Sequence, residues 1–217
     1  MLFSLLFIYT FDRYLFLGCK ITEFFSFVPD DFANFLLSLV PNLKKVALDM
    51  ELQIRKGSLA DLPRLMEIFA YARSFMARSG NPNQWINGYP SEEQIEREIR
   101  QGHCFVMVDP EEGGVHATFC FMPGPDPFYG VIEGGAWLDD EPYWVIHRLA
   151  SDGTRSHITD QCFRWCHAQQ PHLRVDTHPD NRILQHVAEK SGFVRCGIVY
   201  VHNGTARIAY QLPSADQ

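Results

Sequence analysis

Apolar and polar residues alternate from Leu52 to Arg55, which predicts a short strand. Apolar residues then recur at helical spacing: Leu62, Leu65, Met66, Phe69, Ala70 and Phe75. Ser58 is a candidate N-cap for this helix, with Asp61 three residues on as its capping-box partner. Gly80-Asn-Pro82 predicts the stop, and a loop runs from Asn83 to Pro90. Ser91 predicts the cap of a second helix. Glu92 and Glu93 in its first turn suit the helix dipole, and Ile95 and Ile99 mark its buried face. The apolar runs Cys104–Val108 and Val115–Met122, joined through Asp109-Pro-Glu-Glu-Gly-Gly114, predict a hairpin.

Pro123–Pro127 reads as a loop and Ile132–Leu138 as short extended structure. Tyr143–Ala150 predicts a strand, Ser151–His157 a polar loop, and Ile158–Ala168 a helix. Leu173–Thr177 predicts another strand. A helix then opens on Asp180 or Asn181, runs through Val187 and stops at Gly192. Phe193–Val201 and Thr205–Leu212 are the last two strands. The Asn-Gly in His202-Asn-Gly204 predicts a type I′ turn between them.

The first 49 residues break this pattern. They hold nine of the seventeen phenylalanines. The uncharged run from Met1 to Phe11 is interrupted by Asp12 and Arg13, well short of the roughly 20 apolar residues a membrane span needs. No basic residue precedes that run, as a signal peptide would require. An interfacial anchor, a helical hairpin packed on the domain or a partner, and a mis-assigned start all remain open. Met50-Glu-Leu-Gln-Ile-Arg55 reads as a natural start leading into the first strand. The expected organisation is an extension over 1–49 and one domain over 50–217. Peptides from before Met50 in the native protein would overturn the start at Met50.

Composition narrows the classes. The apolar share of 46% supports a sizeable core. A net charge of −7 argues against a nucleic-acid partner, which needs a basic surface. None of the six cysteines forms a CxxC pair. Cys162 and Cys166 lie one helical turn apart, but no Cys or His pair elsewhere completes a four-ligand set. Buried, reduced thiols in a cytoplasmic protein without a metal are the expectation.

The order is therefore strand, two helices, three strands, helix, strand, helix, two strands. Together with Leu173-Arg-Val-Asp-Thr-His-Pro-Asp-Asn181 and Lys190-Ser-Gly-Phe193, it resembles the GNAT acyltransferase superfamily from Leu52 to Leu212. The resemblance implies a mixed α/β fold, a central mixed sheet with two splayed parallel strands, flanked by helices. It implies a transferase, an N-acetyltransferase that uses acetyl-CoA. The acceptor would be a small amine or peptide. A homodimer is one possible assembly, and no membrane partner is implied. An acyl-CoA-binding or sensing protein that has lost catalysis is the alternative.

The resemblance also places candidate residues. The splay would lie between Tyr143–Ala150 and Leu173–Thr177. Backbone groups at Leu149 and Ala150 would meet the pantetheine arm and polarise the thioester carbonyl. The loop with Gly153, Arg155, Ser156, His157, Ile158 and Thr159 would hold the pyrophosphate at a helix N-terminus. The family pattern there is basic-x-x-Gly-x-Gly or Ala, and this chain has no glycine after Gly153. Asn181 would contact the pantetheine and can equally serve as an N-cap. Ala188 stands where many relatives have a tyrosine that protonates the thiolate. Glu133, ahead of two glycines that permit close backbone approach, is the first candidate for base or amine-binding carboxylate. It can also be read as a surface residue. His147 and Tyr210 are further catalytic candidates. Asp176 and His178 end a central strand, where sites often lie. Trp85 and Tyr89 would wall an acceptor pocket or anchor the core.

Overall fold

A computed structural model describes residues 51–213, all within the compact unit Asp49–Gln217. The readings made for 1–49, including the start at Met50, lie outside the described residues. The elements are β1 (Gln53–Lys56), α1 (Leu62–Arg78), α2 (Glu92–Arg100), β2 (Cys104–Val108), β3 (Val115–Pro123) and β4 (Trp144–Ser151). They continue with α3 (Ile158–Gln169), β5 (Leu173–Thr177), α4 (Arg182–Lys190), β6 (Val194–Tyr200) and β7 (Ala206–Gln211). The seven strands form one mixed sheet in the order β1-β2-β3-β4-β5-β7-β6.

Period-two alternation sorts the side chains onto two faces. On β2, Phe105 and Met107 join a core closed by α3 and α4, with Phe119, Phe121, Ile146, Cys162, Phe163, Cys166 and Ala188. Cys104, Val106 and Val108 turn the other way. They meet Leu65, Ile68 and Phe69 of α1 and Ile95 and Ile99 of α2. Farther along that second face the cover is the long connection between β3 and β4. Tyr129 is buried there with Val145, Val199 and Ala209, and Ile132, Trp137 and Tyr143 pack around them.

Two local expectations need correction. Ser58 does not cap α1. Asp61 is the N-cap residue, and its carboxylate accepts from Ser58 N and Oγ and from Arg55. The serine box thus closes the turn before the helix. Ile132–Leu138, expected as short extended structure, meets the sheet at one bridge, Glu133 to Ile198. The last turn is not type I′, because Asn203 does not have positive φ and Gly204 does, at 73°. Gly204 N donates to Val201 O at 2.7 Å, and Val201 N donates to Thr205 O at 3.1 Å. That is a type I turn closed by a glycine in the left-handed region, the usual three-residue hairpin loop. The Ser91 and Asn181 caps form as expected, accepting from Gln94 N and Leu184 N. The five described cysteines are buried free thiols. Among the described residues no helix is long and apolar enough to cross a membrane.

Candidate acyl-transfer site

The site begins with a pairing that stops. β4 and β5 run parallel and pair at Trp144–Leu173, Val145–Arg174 and Ile146–Val175, and no further. From His147 to Ser151 the β4 edge facing β5 has no strand partner among the described residues. One cause lies on the other edge of β4. Thr118 pairs with Ala150 and Cys120 with His147, so Phe119 alone faces both Arg148 and Leu149. This is a bulge, and Arg148 carries it with φ of 54°. Bulges bend and twist a strand, and this one falls where β4 leaves β5.

The opening leads into a cavity of about 920 Å³. Ile146 to Ser151 form one wall. Gly153, Ile158 and Thr159 lie at the N-terminus of α3, and Asn181 and Leu184 at the start of α4. The α1–α2 loop contributes Gln84, Trp85 and Tyr89. The β3–β4 connection contributes Asp126 and Phe128, and the β6–β7 turn contributes His202.

Of the residues predicted from sequence, Leu149, Ala150, Gly153, Ile158, Thr159, Asn181, His147, Trp85 and Tyr89 therefore meet around one space. Arg155, Ser156 and His157 belong to the same loop but do not line the cavity. Arg155 Nη2 donates to Asp109 Oδ2 on the β2–β3 hairpin at 2.5 Å. His157 is the N-cap of α3 and sits at φ 56°, a conformation in which a side chain is strained. A glycine would adopt it freely. The His157→Gly variant is expected to stabilise the fold by about 0.5–1 kcal/mol. The gain is read as a raised melting temperature, and an unchanged or lowered one would show that the contacts of His157, among them its pairing with Asp160, offset the strain.

Asn181 does two jobs. Its Oδ1 caps Leu184 N, and its Nδ2 donates to Gln84 Oε1 at 2.9 Å. Gln84 Oε1 also accepts from Asn81 Nδ2, so α4 is tied to the α1–α2 loop across the cavity. The Asn181→Ala variant is expected to lose about 1 kcal/mol of stability with the cap. Acetyl-CoA affinity should fall with it, and an unchanged affinity would leave Asn181 a cap only.

Trp85 packs on the core and faces the cavity. Its ring packs edge-on to the core residue Phe69, with centroids 5.7 Å apart, and it also lines the cavity. Tyr89 stacks on His202 at 5.9 Å, and its hydroxyl accepts from Arg148 Nε at 3.0 Å.

Glu133 and Tyr210 stand elsewhere. Glu133 hydrogen-bonds through its backbone to Ile198, and its exposed carboxylate accepts from Tyr200 OH at 3.0 Å. The close approach foreseen for its glycines is real but serves packing. A Cβ on Gly135 would lie 1.9 Å from the Cys196 carbonyl oxygen. Tyr210 is buried, with its hydroxyl on Glu189. Burial first, then the Glu189 charge, push its pKa up to about 12. Neither residue lines the cavity. Ala188 is fully buried under the sheet, so α4 presents no acid at that position.

In their place the structure sets a group around His147. His147 Nε2 lies 2.9 Å from Asp126 Oδ2, and Nδ1 lies 3.7 Å from Asp176 Oδ1. Tyr129 OH donates to Asp176 Oδ1 at 2.7 Å. Burial tends to raise the Asp126 pKa, but the hydrogen bond and charge of His147 outweigh it and hold the carboxyl below its usual range. Burial, then the Asp176 charge, push the Tyr129 phenol well above its usual range, so it stays a donor. Asp126 reaches this place because Gly124 and Tyr143 fold the connection back. Asp126 N donates to Tyr143 OH, and Asp126 Oδ1 accepts from Phe128 N. An acid set between two prolines was the sequence signal. It identified a rigid turn but not what the turn faces.

A mixed sheet whose parallel pair parts over a deep cavity, with helix N-termini at its mouth, defines an α/β acyltransferase domain. The chain belongs to the GNAT acetyltransferase family, whose domain profile its residues 51–194 match. It is similar in structure to a GNAT-family acetyltransferase from Streptococcus agalactiae. The identity is 27% and the TM-score 0.67, over 74% of this chain and 94% of that one. A GNAT-family acetyltransferase from Listeria monocytogenes shares the fold at 18% identity and a TM-score of 0.56. That match covers 74% of this chain and 95% of the other. No curated protein matches the chain in sequence.

Proposed function

We propose that this protein is an N-acetyltransferase that acetylates an amine at the cavity between β4 and β5, with His147 as its base. The observation that carries this reading is His147 set between two carboxylates on the wall of that cavity. Acetyl-CoA, when bound, supplies the acetyl thioester. The β4 edge from Leu149 to Ser151 offers it backbone donors and acceptors, and the N-termini of α3 and α4 favour its anionic part. The lining residues Gly153, Ile158, Thr159 and Asn181 would hold it.

The proton chemistry belongs to His147. Ionised Asp126 is an acceptor only, so it assigns the imidazole proton to Nε2. Nδ1 is then the basic nitrogen, facing the gap toward Asp176. A neutral amine in that gap loses one proton to Nδ1 as it attacks. The C–N bond forms and the C–S bond breaks, and the departing thiolate takes up one proton. The imidazolium formed on the way lies between two carboxylates, which stabilise it.

The test is free thiol release from acetyl-CoA by the full-length protein, with and without a panel of amines. Amine-dependent release supports the reading. Acetyl-CoA binding without release for any amine overturns it in favour of an acyl-CoA-binding protein.

A further inference from the structure

The proton-transfer scheme leaves one buried cation in the cavity unused. Arg207, on β7, lines the cavity and is only 6% exposed. Its Nη2 donates to the Gln84 carbonyl oxygen at 3.0 Å, and its Nε lies 3.7 Å from Asp176 Oδ2. Nη1 is buried and has no acceptor among the described residues. Burial pushes the guanidinium pKa below its ordinary value, against the pull of Asp176. A buried donor without a partner is costly, and a guanidinium carries its donors in a fixed plane that suits a carboxylate. Asp176 does not meet this need: its Oδ2 lies 3.7 Å from Nε, beyond hydrogen-bond distance, and Nη1 makes no hydrogen bond to it.

The surroundings narrow what would meet it. Arg207 and Asp176 are neighbours, so a cationic and an anionic partner stand side by side in one cavity, with His147 next to Asp176. That is the arrangement an α-amino acid presents in reverse, its amine and carboxylate separated by a single carbon. The walls beyond are aromatic. Trp85 and Tyr89 have centroids 6.2 Å apart, Tyr89 and His202 5.9 Å, and Phe128 and His202 6.3 Å. Such walls favour a planar or apolar side chain.

We propose that the acceptor is a free α-amino acid with an aromatic or thioether side chain. Its carboxylate sits on Arg207, its amine between His147 and Asp176, and its side chain among Trp85, Tyr89, Phe128 and His202. The proposal rests on the acetyltransferase reading above and specifies its acceptor. The products are the N-acetyl amino acid and free coenzyme A.

The experiment compares matched acceptors with the full-length protein and acetyl-CoA, following thiol release. The pairs are phenylalanine with phenethylamine, tryptophan with tryptamine, and methionine with 3-(methylthio)propylamine. The amino acid of at least one pair is expected to have a kcat/KM at least about tenfold above its decarboxylated partner, the range of a charge-assisted hydrogen bond. Arg207→Gln is expected to lower kcat/KM for that amino acid tenfold or more beyond any effect on its amine. The N-acetyl amino acid should also bind the unaltered protein more tightly than the N-acetyl amine in a calorimetric titration. This last comparison needs no variant, so a misfolded Arg207→Gln would not shield the proposal. Equal or better turnover of the amine in every pair overturns the proposal and leaves the acetyltransferase standing. So does an equal effect of Arg207→Gln on both partners. Absence of thiol release with every amine, despite bound acetyl-CoA, removes both.

Discussion

Replacing His147 with glutamine is expected to lower kcat by about 10²- to 10³-fold, the usual yield of a positioned general base. Glutamine keeps a donor for Asp126 and much of the volume, but it cannot accept a proton at neutral pH. Acetyl-CoA affinity should stay within about twofold, because the residues proposed to hold it are Gly153, Ile158, Thr159 and Asn181 and not His147. Single-turnover acetylation and calorimetric titration separate the two quantities. Asp126→Asn should act in the same direction. Its amide can donate to Nε2 and shift the imidazole proton to Nδ1, which removes the base from the gap. Full turnover of His147→Gln would remove His147 from the mechanism. Glu133→Gln, by contrast, is expected to leave turnover nearly unchanged, since its carboxylate meets Tyr200 at the surface and not the cavity.

Gly135→Ala is expected to be the most damaging single methyl in the domain. Its Cβ would fall 1.9 Å from the carbonyl oxygen of Cys196, a backbone atom that cannot turn aside. The neighbouring contact is also too close for a side chain, because a Cβ on Gly197 would lie 2.7 Å from Glu133 O. These two glycines let the β3–β4 connection lie against β6 through paired hydrogen bonds, Glu133 N to Ile198 O and Ile198 N to Glu133 O. An alanine forces the strand and the connection apart at a cost of about 3 kcal/mol. For a domain of this size that lowers Tm by roughly 6–12 °C. Activity should fall further than stability, because the same connection carries Asp126 and Tyr129 to His147 and Asp176. Gly134→Ala is the control. Its φ is 69°, but nothing lies within 4 Å of the added carbon, so it should cost only about 1–2 kcal/mol. Equal melting points for the two variants would show that strain, not the Cys196 contact, governs the segment.

The candidate site was partly legible in the chain, and the division follows the reach of local rules. Ser91 and Asn181 were readable as caps because a cap is set by residues within one turn. The walls at Leu149, Ala150, Ile158 and Thr159 followed from the resemblance, which carries the order of strand, loop and helix. Glu133 was favoured because it stands beside two glycines, and glycines mark close approach. They do not say to what, and here the neighbour is β6. Asp126 drew no attention inside a proline turn, and Arg207 drew none as one charge in an apolar strand. Each takes its place from a partner far off in sequence: Asp126 from His147 on β4, Arg207 from Gln84 and Asp176.

The sequence by itself determined the elements, their order and the faces they bury, because period and capping are short-range properties. It also carried the family, since the order of strands and the Asn-to-Gly-Phe stretch are linear. It did not determine where β4 and β5 part, which depends on a bulge against β3. Nor did it determine which carboxylates meet His147. That depends on how the β3–β4 connection folds over the sheet, a packing of residues 20 to 70 positions apart that no local pattern encodes.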